Sequence, residues 1–488
     1  MNVIISPDAQ PDKPRPRHEL SRAGRFVIRA AALAALLLPC RILQGAAQNP
    51  EGPFAQRMQE TIETQRLKWN QHGISAAVIV PGWGTWKGTD GESAPGIPIT
   101  DTMLFGAGSV TKTFTSALIL KLAEEGKLSL ADPLHRWLPG YANVDSTITI
   151  RRLLAHTSGV YNFTDNPLWG DSLFADPARI WTPDEIVRYF VEEPSFSQGR
   201  SWAYSNTGYV LLGMIAEKAS GSTLAVEFRK RFLAPLELRN TFLELDEEVR
   251  GELVHPWSDF TGEGEPDDIS SFPRQGIYSS AWAAGAMVST PSDIAAWGSA
   301  LYGRRILHDS SMARLLAVLT LNTGTPVTGY GLGVFRYTLE GKTLYGHGGN
   351  VFGYSTSLLY YPEEGITIAV MVNGNMKADE IGYALMAEAM KGITSDAGYH
   401  PASPLLSLGD IITDRSGTAV SVEYSLPVAG SASITLHDML GREVAAISGL
   451  EQEAGTWSAT LRTAGLPHGA YICRLRSGGT TVTKKMIF

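Results

Sequence analysis

Ser109-Val110-Thr111-Lys112 is the one Ser-x-x-Lys in the chain. Residues three apart on a helix share a face, so hydroxyl and amine would be neighbours. A serine hydroxyl is a weak nucleophile until a base takes its proton. A lysine held in a dry pocket has its pKa depressed and can be that base. Ser109 also falls at a helix start, where free N–H groups and the dipole favour developing negative charge. Composition alone yields on the order of one such quartet per chain of this length, and a serine cap beside an exposed lysine has the same letters.

Two further groups favour nucleophilic catalysis. Tyr204-Ser205-Asn206 pairs a phenol, able to relay a proton if neighbouring cations lower its pKa, with an amide able to hold a substrate amide. Tyr141-Ala142-Asn143 repeats that spacing but follows the plain turn Leu138-Pro139-Gly140, whereas Gly199, Gly208 and Gly213 around Tyr204 suit a tight loop against a helix. His347-Gly348-Gly349 falls on an expected strand, where two glycines leave the backbone open to close approach. A β-bulge beside a packed histidine would read the same way. Gly-x-Ser-x-Gly and His-Glu-x-x-His are both absent, so neither a nucleophile elbow nor a metal is implied, and no cofactor is expected.

These groups need positioning elements. Residues 53–71 have helical spacing of Phe54, Met58, Ile62 and Leu67, and Ser75–Val80 reads as a strand turned by Pro81-Gly82. An apolar-striped helix runs from Ser109 to Glu125 and stops at Gly126. From about 130 to 290 the signals are mostly helical, with a capping box at Thr182-Pro183-Asp184-Glu185. Gly329–Tyr337, Lys342–His347, Tyr354–Tyr361 and Ile366–Asn373 then read as consecutive strands, closed by a helix over Ala378–Met390. The expected class is α+β, an antiparallel sheet flanked by helices with an inserted mostly helical region. Residues 392–406 read as a linker, and six short strands from Val420 to Ile487 as a small C-terminal β-sandwich.

The 488 residues exceed one typical domain, and 44% hydrophobic with 18% charged residues is globular composition. A net charge of -8 disfavours general nucleic-acid binding. Cys40 and Cys473 cannot build a disulfide framework. Residues 1–48 read as a signal peptide with a preceding basic segment: arginines up to Arg29, an apolar run from Ala30 to Leu38, then Gly45, Ala46 and Ala47. No stretch reaches the ~20 residues of a membrane-spanning helix, so the mature chain is expected to be exported without a transmembrane segment.

In this order and combination the three groups resemble the serine beta-lactamase and penicillin-binding-protein superfamily. The likeness is nearest to the branch holding class C beta-lactamases, D-Ala-D-Ala carboxypeptidases, D-aminopeptidases and related esterases. It extends to Phe105–Lys112, Leu153–Gly159, Ala284–Thr290 and the strand pair at 354–373, over about residues 53–391. The resemblance implies an acyl-enzyme on Ser109, proton transfer by Lys112 and Tyr204, and substrate contacts from Asn206, His347, Gly348 and Gly349. It implies an oxyanion hole from the backbone N–H groups of Ser109 and Asn350, and a loop-fixing role for His156 and Thr157. The substrate would be a beta-lactam, a D-Ala-D-Ala peptide, a D-amino-acid amide or an ester. Many members carry Thr or Ser in the middle of the strand triplet. Gly348 has no hydroxyl, which shifts the expectation toward an aminopeptidase or esterase.

Gly441–Val444, Leu466–Tyr471 and the final strand with Lys484-Lys485 resemble the C-terminal sorting domain of the type IX secretion system, over residues 407–488. That implies a partner in the secretion machinery and a cell-surface or extracellular destination, with the periplasm as the alternative. Two non-enzymatic readings remain: a decayed hydrolase scaffold that binds peptidoglycan or a peptide, and a surface adhesin working through its C-terminal β-domain.

Overall fold

The computed structural model describes residues 52–259, 266–374, 376–395, 407–413, 418–426, 430–453, 455–477 and 480–487. The expected signal peptide, Cys40 and linker residues 396–406 lie outside them. The principal sheet has nine strands: β1 (Gly73–Val80), β2 (Gly84–Ala94), β3 (Ile97–Pro98), β4 (Leu319–Thr320), β5 (Val327–Tyr330), β6 (Phe335–Leu339), β7 (Lys342–Val351), β8 (Tyr354–Tyr361) and β9 (Ile366–Asn373). Their order is β3-β2-β1-β9-β8-β7-β6-β5-β4, and all the pairings are antiparallel. Chain entry and chain exit therefore meet at the centre, where Ala77 of β1 faces Ala369 of β9.

β8 and β9 are buried at every position. A strand buried on both faces needs cover on both. Helix α1 (Pro53–Lys68) and the last helix, α5 (Ala378–Ser395), supply one cover: Phe54, Met58, Ile62, Ile381 and Leu385 join Ile74, Ala76, Ile368 and Val370 in one apolar cluster. The other face carries Ala77, Leu358, Ala369 and Met371 against the larger cluster of the helical region. Alternate residues of one strand thus feed two cores, as the strand period requires.

Helix α2 (Thr111–Glu124) runs through the larger core with 11 residues buried. Its hydroxyls are all the more in need of partners: Thr115 donates to the Ala283 carbonyl at 2.7 Å, and the Trp297 indole donates to Thr113 Oγ1 at 2.8 Å. Helix α3 (Asn206–Ser220) packs beside it, and α4 (Pro291–Tyr302) reaches it through Trp297, stacked on Phe114 at 3.8 Å. A small sheet of Phe105–Gly106, Met287–Ser289 and Phe242–Leu243 ties the approach to α2 to residues 283–289.

Three boundaries differ from the sequence reading. Gly329–Tyr337 is two strands, because residues 331–334 turn, with the Gly331 N–H donating to the Val334 carbonyl. β7 continues four residues past His347 to Val351. The closing helix runs on to Ser395, into the expected linker.

The C-terminal strands are β10 (Ser407–Thr413), β11 (Ala419–Leu426), β12 (Gly430–Asp438), β13 (Glu443–Gln452), β14 (Gly455–Arg462), β15 (Ala470–Ser477) and β16 (Thr480–Ile487). They form a three-stranded sheet, β10-β11-β14, and a four-stranded sheet, β13-β12-β15-β16. Both contribute to one apolar cluster that includes Val422, Tyr424, Ile434, Leu436 and Leu475, so the unit is a small sandwich.

Candidate active site

Ser109 sits in a single 3-10 turn, Gly108–Val110, immediately before α2. Thr111 holds the turn: its hydroxyl donates to the Gly108 carbonyl at 2.7 Å and accepts the Met287 N–H at 3.1 Å. Ser109 keeps partial exposure, while Lys112, one turn further, is fully buried.

The lysine amine has three neighbours: Ser109 Oγ at 3.0 Å, Asn206 Oδ1 at 2.8 Å and the Ala284 carbonyl at 2.6 Å. Two of the three can only accept. Once the amine is neutral, its two hydrogens can serve Asn206 and Ala284, which leaves its lone pair for the Ser109 hydroxyl. Among the described residues no carboxylate pairs with Lys112. Burial without a counter-ion holds its pKa well below the usual lysine range.

Tyr204 arrives on the segment before α3. Ser205 caps that helix, accepting the Gly208 N–H. The residue on each side of Tyr204 is pinned by His156: the Ala203 N–H donates to its carbonyl at 3.0 Å and the Ser205 N–H to its Nδ1 at 3.1 Å. The two rings lie 4.3 Å apart between centroids. His156 itself takes φ of 56°, a conformation costing about 1–3 kcal/mol in a non-glycine residue. Tyr204 hydrogen-bonds Ser109, yet burial dominates and pushes its phenol well above the usual range. The expectation of a cation-lowered phenol is therefore corrected. Lys112 lies over the ring, 4.8 Å from its centroid, and burial keeps the resting phenol protonated.

Asn206 is held at every polar atom. Its N–H donates to Asn162 Oδ1 at 2.9 Å and its amide nitrogen to Thr164 Oγ1 at 3.2 Å.

The third wall is β7. His347 is buried and its Nδ1 lies 2.6 Å from the Gly348 carbonyl, so that nitrogen carries the hydrogen. Its Nε2 then accepts from the Tyr330 hydroxyl at 3.2 Å. Burial, helped by Lys112, lowers its pKa to about 3, which leaves a neutral imidazole. Gly349 and Gly108 lie against each other. A Cβ on Gly349 would run into the Ala107 carbonyl and come within 2.8 Å of the Ser109 nitrogen, and one on Gly108 within 2.6 Å of the Asn350 nitrogen. Two glycines permit this approach, which packs the backbone at Ser109 against the backbone at Asn350.

Gly348 does not belong with them. Its missing side chain would point at the Asp379 carboxylate of α5, 2.6 Å from Oδ2, on the opposite face of the sheet. Successive residues of a strand alternate faces, so a hydroxyl at 348 would not face Ser109. The missing hydroxyl at Gly348 therefore does not by itself bear on the choice of substrate. The sequence reading missed Tyr330, Asn162, Thr164 and the Ala284 carbonyl. Ala284 lay in a segment that looked familiar, but a backbone acceptor leaves no letter.

Residues 54–391 match the family described as Beta-lactamase. The chain belongs to the beta-lactamase family. Among curated relatives it is 29% identical over 290 residues to Penicillin-binding protein 4* of Bacillus subtilis, covering 57% of this chain and 62% of that protein. It is 28% identical over 344 residues to Penicillin-binding protein 4 of Amycolatopsis lactamdurans, covering 65% and 85%. Among solved structures, a D-stereospecific amidohydrolase from Streptomyces sp. aligns with a TM-score of 0.62 at 30% identity, covering 69% of this chain and 98% of that one. D-amino acid amidase from Ochrobactrum anthropi aligns with a TM-score of 0.61 at 26% identity, covering 70% and 99%. This is a beta-lactamase-like serine hydrolase family. Residues 417–488 match the Secretion system C-terminal sorting domain, which marks the chain for type IX secretion to the cell surface or extracellular space. Among the described residues no helix is long and apolar enough to cross a membrane.

Proposed function

We propose that this chain is an exported hydrolase that passes an acyl group through Ser109, from an amide, peptide or ester to water. Residues 53–391 carry the chemistry and residues 407–488 serve export. The observation that carries the reading is the Lys112 amine, stripped of counter-ions, with two carbonyl acceptors on its hydrogens and Ser109 Oγ at 3.0 Å. That is the arrangement of a base waiting for a hydroxyl proton.

In the first half-reaction Lys112 takes the Ser109 proton as Oγ attacks the carbonyl carbon. The oxygen gains charge between the N–H groups of Ser109 and Asn350, at the N-terminus of α2. Tyr204, protonated at rest, gives its proton to the departing nitrogen or oxygen and recovers one from Lys112. Water then attacks the ester on Ser109, losing its proton to the same pair, and Oγ regains its hydrogen. Asn206 has one amide N–H left beyond its bond to Thr164, to offer a substrate carbonyl. His347 and Tyr330 close the wall as neutral groups, so the only charge that changes is the one in transit.

The test is a turnover panel of a chromogenic cephalosporin, a D-Ala-D-Ala peptide, a D-amino-acid anilide and a short-chain aryl ester, run beside labelling by a fluorescent fluorophosphonate. At least one substrate is turned over, and turnover and label both disappear in Ser109→Ala. Wild-type protein that cleaves none of the four and takes no label would contradict the proposal.

A further inference from the structure

Arg151 and Arg152 lie on the short helix Ile150–Leu154, Arg200 in the segment that leads to Tyr204, and Arg314 on the helix Asp309–Leu315. Among the described residues none of these four guanidinium groups makes an ion pair or a side-chain hydrogen bond. Every other arginine from Arg57 to Arg336 has an oxygen partner. Arg136 meets Asp132 at 2.8 Å and Arg188 meets Asp184 at 2.6 Å. Even without a carboxylate, Arg336 donates to the Thr328 carbonyl at 2.8 Å.

The four unpaired arginines line one cleft of about 850 Å³. That is within the roughly 300–1,000 Å³ of a site that holds a small molecule. No Asp or Glu lines it. Trp202 does, and its indole Nε1, which can only donate, is buried without a partner. The backbone makes room for the charge. Gly199 has φ of 77°, and a Cβ on it would run into the Arg152 guanidinium. Its N–H donates to the Thr157 carbonyl at 2.7 Å, which fixes that approach. Like charges around one cleft repel, and no carboxylate of the lining offsets them, although the chain as a whole carries a net charge of -8.

Guanidinium forks match phosphate oxygens in pairs. A phosphate monoester brings about two negative charges, so two phosphate groups on one molecule balance four arginines. We propose that this cleft is a binding site for a small molecule that carries two or more phosphate groups. None of the four arginines belongs to the Ser109 machinery, so the inference stands apart from the hydrolase reading.

Full-length protein is titrated calorimetrically with pyrophosphate and with inorganic phosphate. Pyrophosphate binds about tenfold tighter or more, the ratio that one further charged hydrogen bond supplies. It also raises the melting temperature. The exposed loop variant Arg200→Gln loses about tenfold in pyrophosphate affinity, and the double variant Arg200→Gln, Arg314→Gln loses about 10²-fold. Without anion the double variant melts at the wild-type temperature or above, because repulsion is relieved. Arg239→Gln, which removes an exposed arginine paired with Glu237 away from the cleft, binds like wild type. No pyrophosphate binding, equal affinity for the two anions, full affinity in the double variant, or an equal loss in Arg239→Gln overturns the site. Co-sedimentation with phosphatidylcholine vesicles containing phosphatidylinositol bisphosphate separates the two sources of such a ligand. Capture that is lost in the double variant assigns a lipid headgroup, and pyrophosphate binding without capture assigns a free phosphate compound.

Discussion

Two histidines make almost the same local bonds in two different places. His347 on β7 gives its Nδ1 to a backbone carbonyl at 2.6 Å and meets a hydroxyl with Nε2 at 3.2 Å. His437 on β12 meets the Gly441 carbonyl at 3.2 Å and the Thr435 hydroxyl at 2.9 Å. Both lie on strands and both are buried. The difference is in the neighbours. His437 is satisfied by its own hairpin, whereas His347 is enclosed by Tyr204, Tyr330 and Phe335. A buried histidine by itself therefore says little. Long-range convergence of ionisable groups that lack counter-charges is what marks a site. Among the described residues of 407–487, the buried polar side chains are His437 and Thr463, and the buried Cys473 thiol is pushed up to about 11.

The sharpest way to break this contrast is to remove the groups that differ. Lys112→Met is expected to lower hydrolysis by about 10³-fold or more, since it deletes the base. His437→Gln leaves hydrolysis unchanged in the same steady-state assay. Comparable losses in both would dissolve the distinction.

A smaller effect separates neighbouring glycines. Gly349→Ala pushes β7 off the Ser109 turn and misplaces the Asn350 N–H, costing about 10²-fold in kcat. Gly348→Ala strains the Asp379 side chain across the sheet and is expected to change melting temperature more than kcat. The opposite ranking would return Gly348 to the catalytic face.

The smallest effect is on stability against pH. His347 titrates near 3 when folded and near 6.5 when free, so between those values the unfolded chain binds the extra proton. Stability then falls as pH drops from about 6.5 toward 3, at up to about 1.4 kcal/mol per pH unit. Asp379 acts oppositely. Burial raises its carboxyl from 3.8 to about 6, so it destabilises as pH rises across that interval. Asp379→Asn should steepen the acid loss, and His347→Gln should flatten it, in urea titrations between pH 4 and 7.

Much of the site was legible because its letters have chemical meaning at short range. Ser109 and Lys112 are one helical turn apart, and Tyr204-Ser205-Asn206 carries its own helix cap. The order of β7, β8 and β9 followed from apolar runs and turn residues. Other parts were hidden for physical reasons. The sense of Gly348 depends on strand alternation against α5, which a triplet cannot display. The Ala284 carbonyl and the Asn162 contact are long-range partners without a motif. The Phe352-Gly353 turn breaks the usual turn chemistry, so β7 read as ending at His347 when it runs to Val351. The protonated phenol of Tyr204 reflects burial, which spacing does not report.

The central claim is a covalent bond at Ser109, and intact-mass spectrometry reads it directly. Tyr204→Phe protein, which keeps the nucleophile and base but slows proton delivery to and from the acyl-enzyme, is mixed with an activated aryl ester and quenched in acid. The expected result is a mass gain equal to the acyl group, mapped to the peptide that contains Ser109 and absent from the Ser109→Ala, Tyr204→Phe double variant. An adduct on another residue, or continued hydrolysis by the double variant at the rate of Tyr204→Phe, would contradict it.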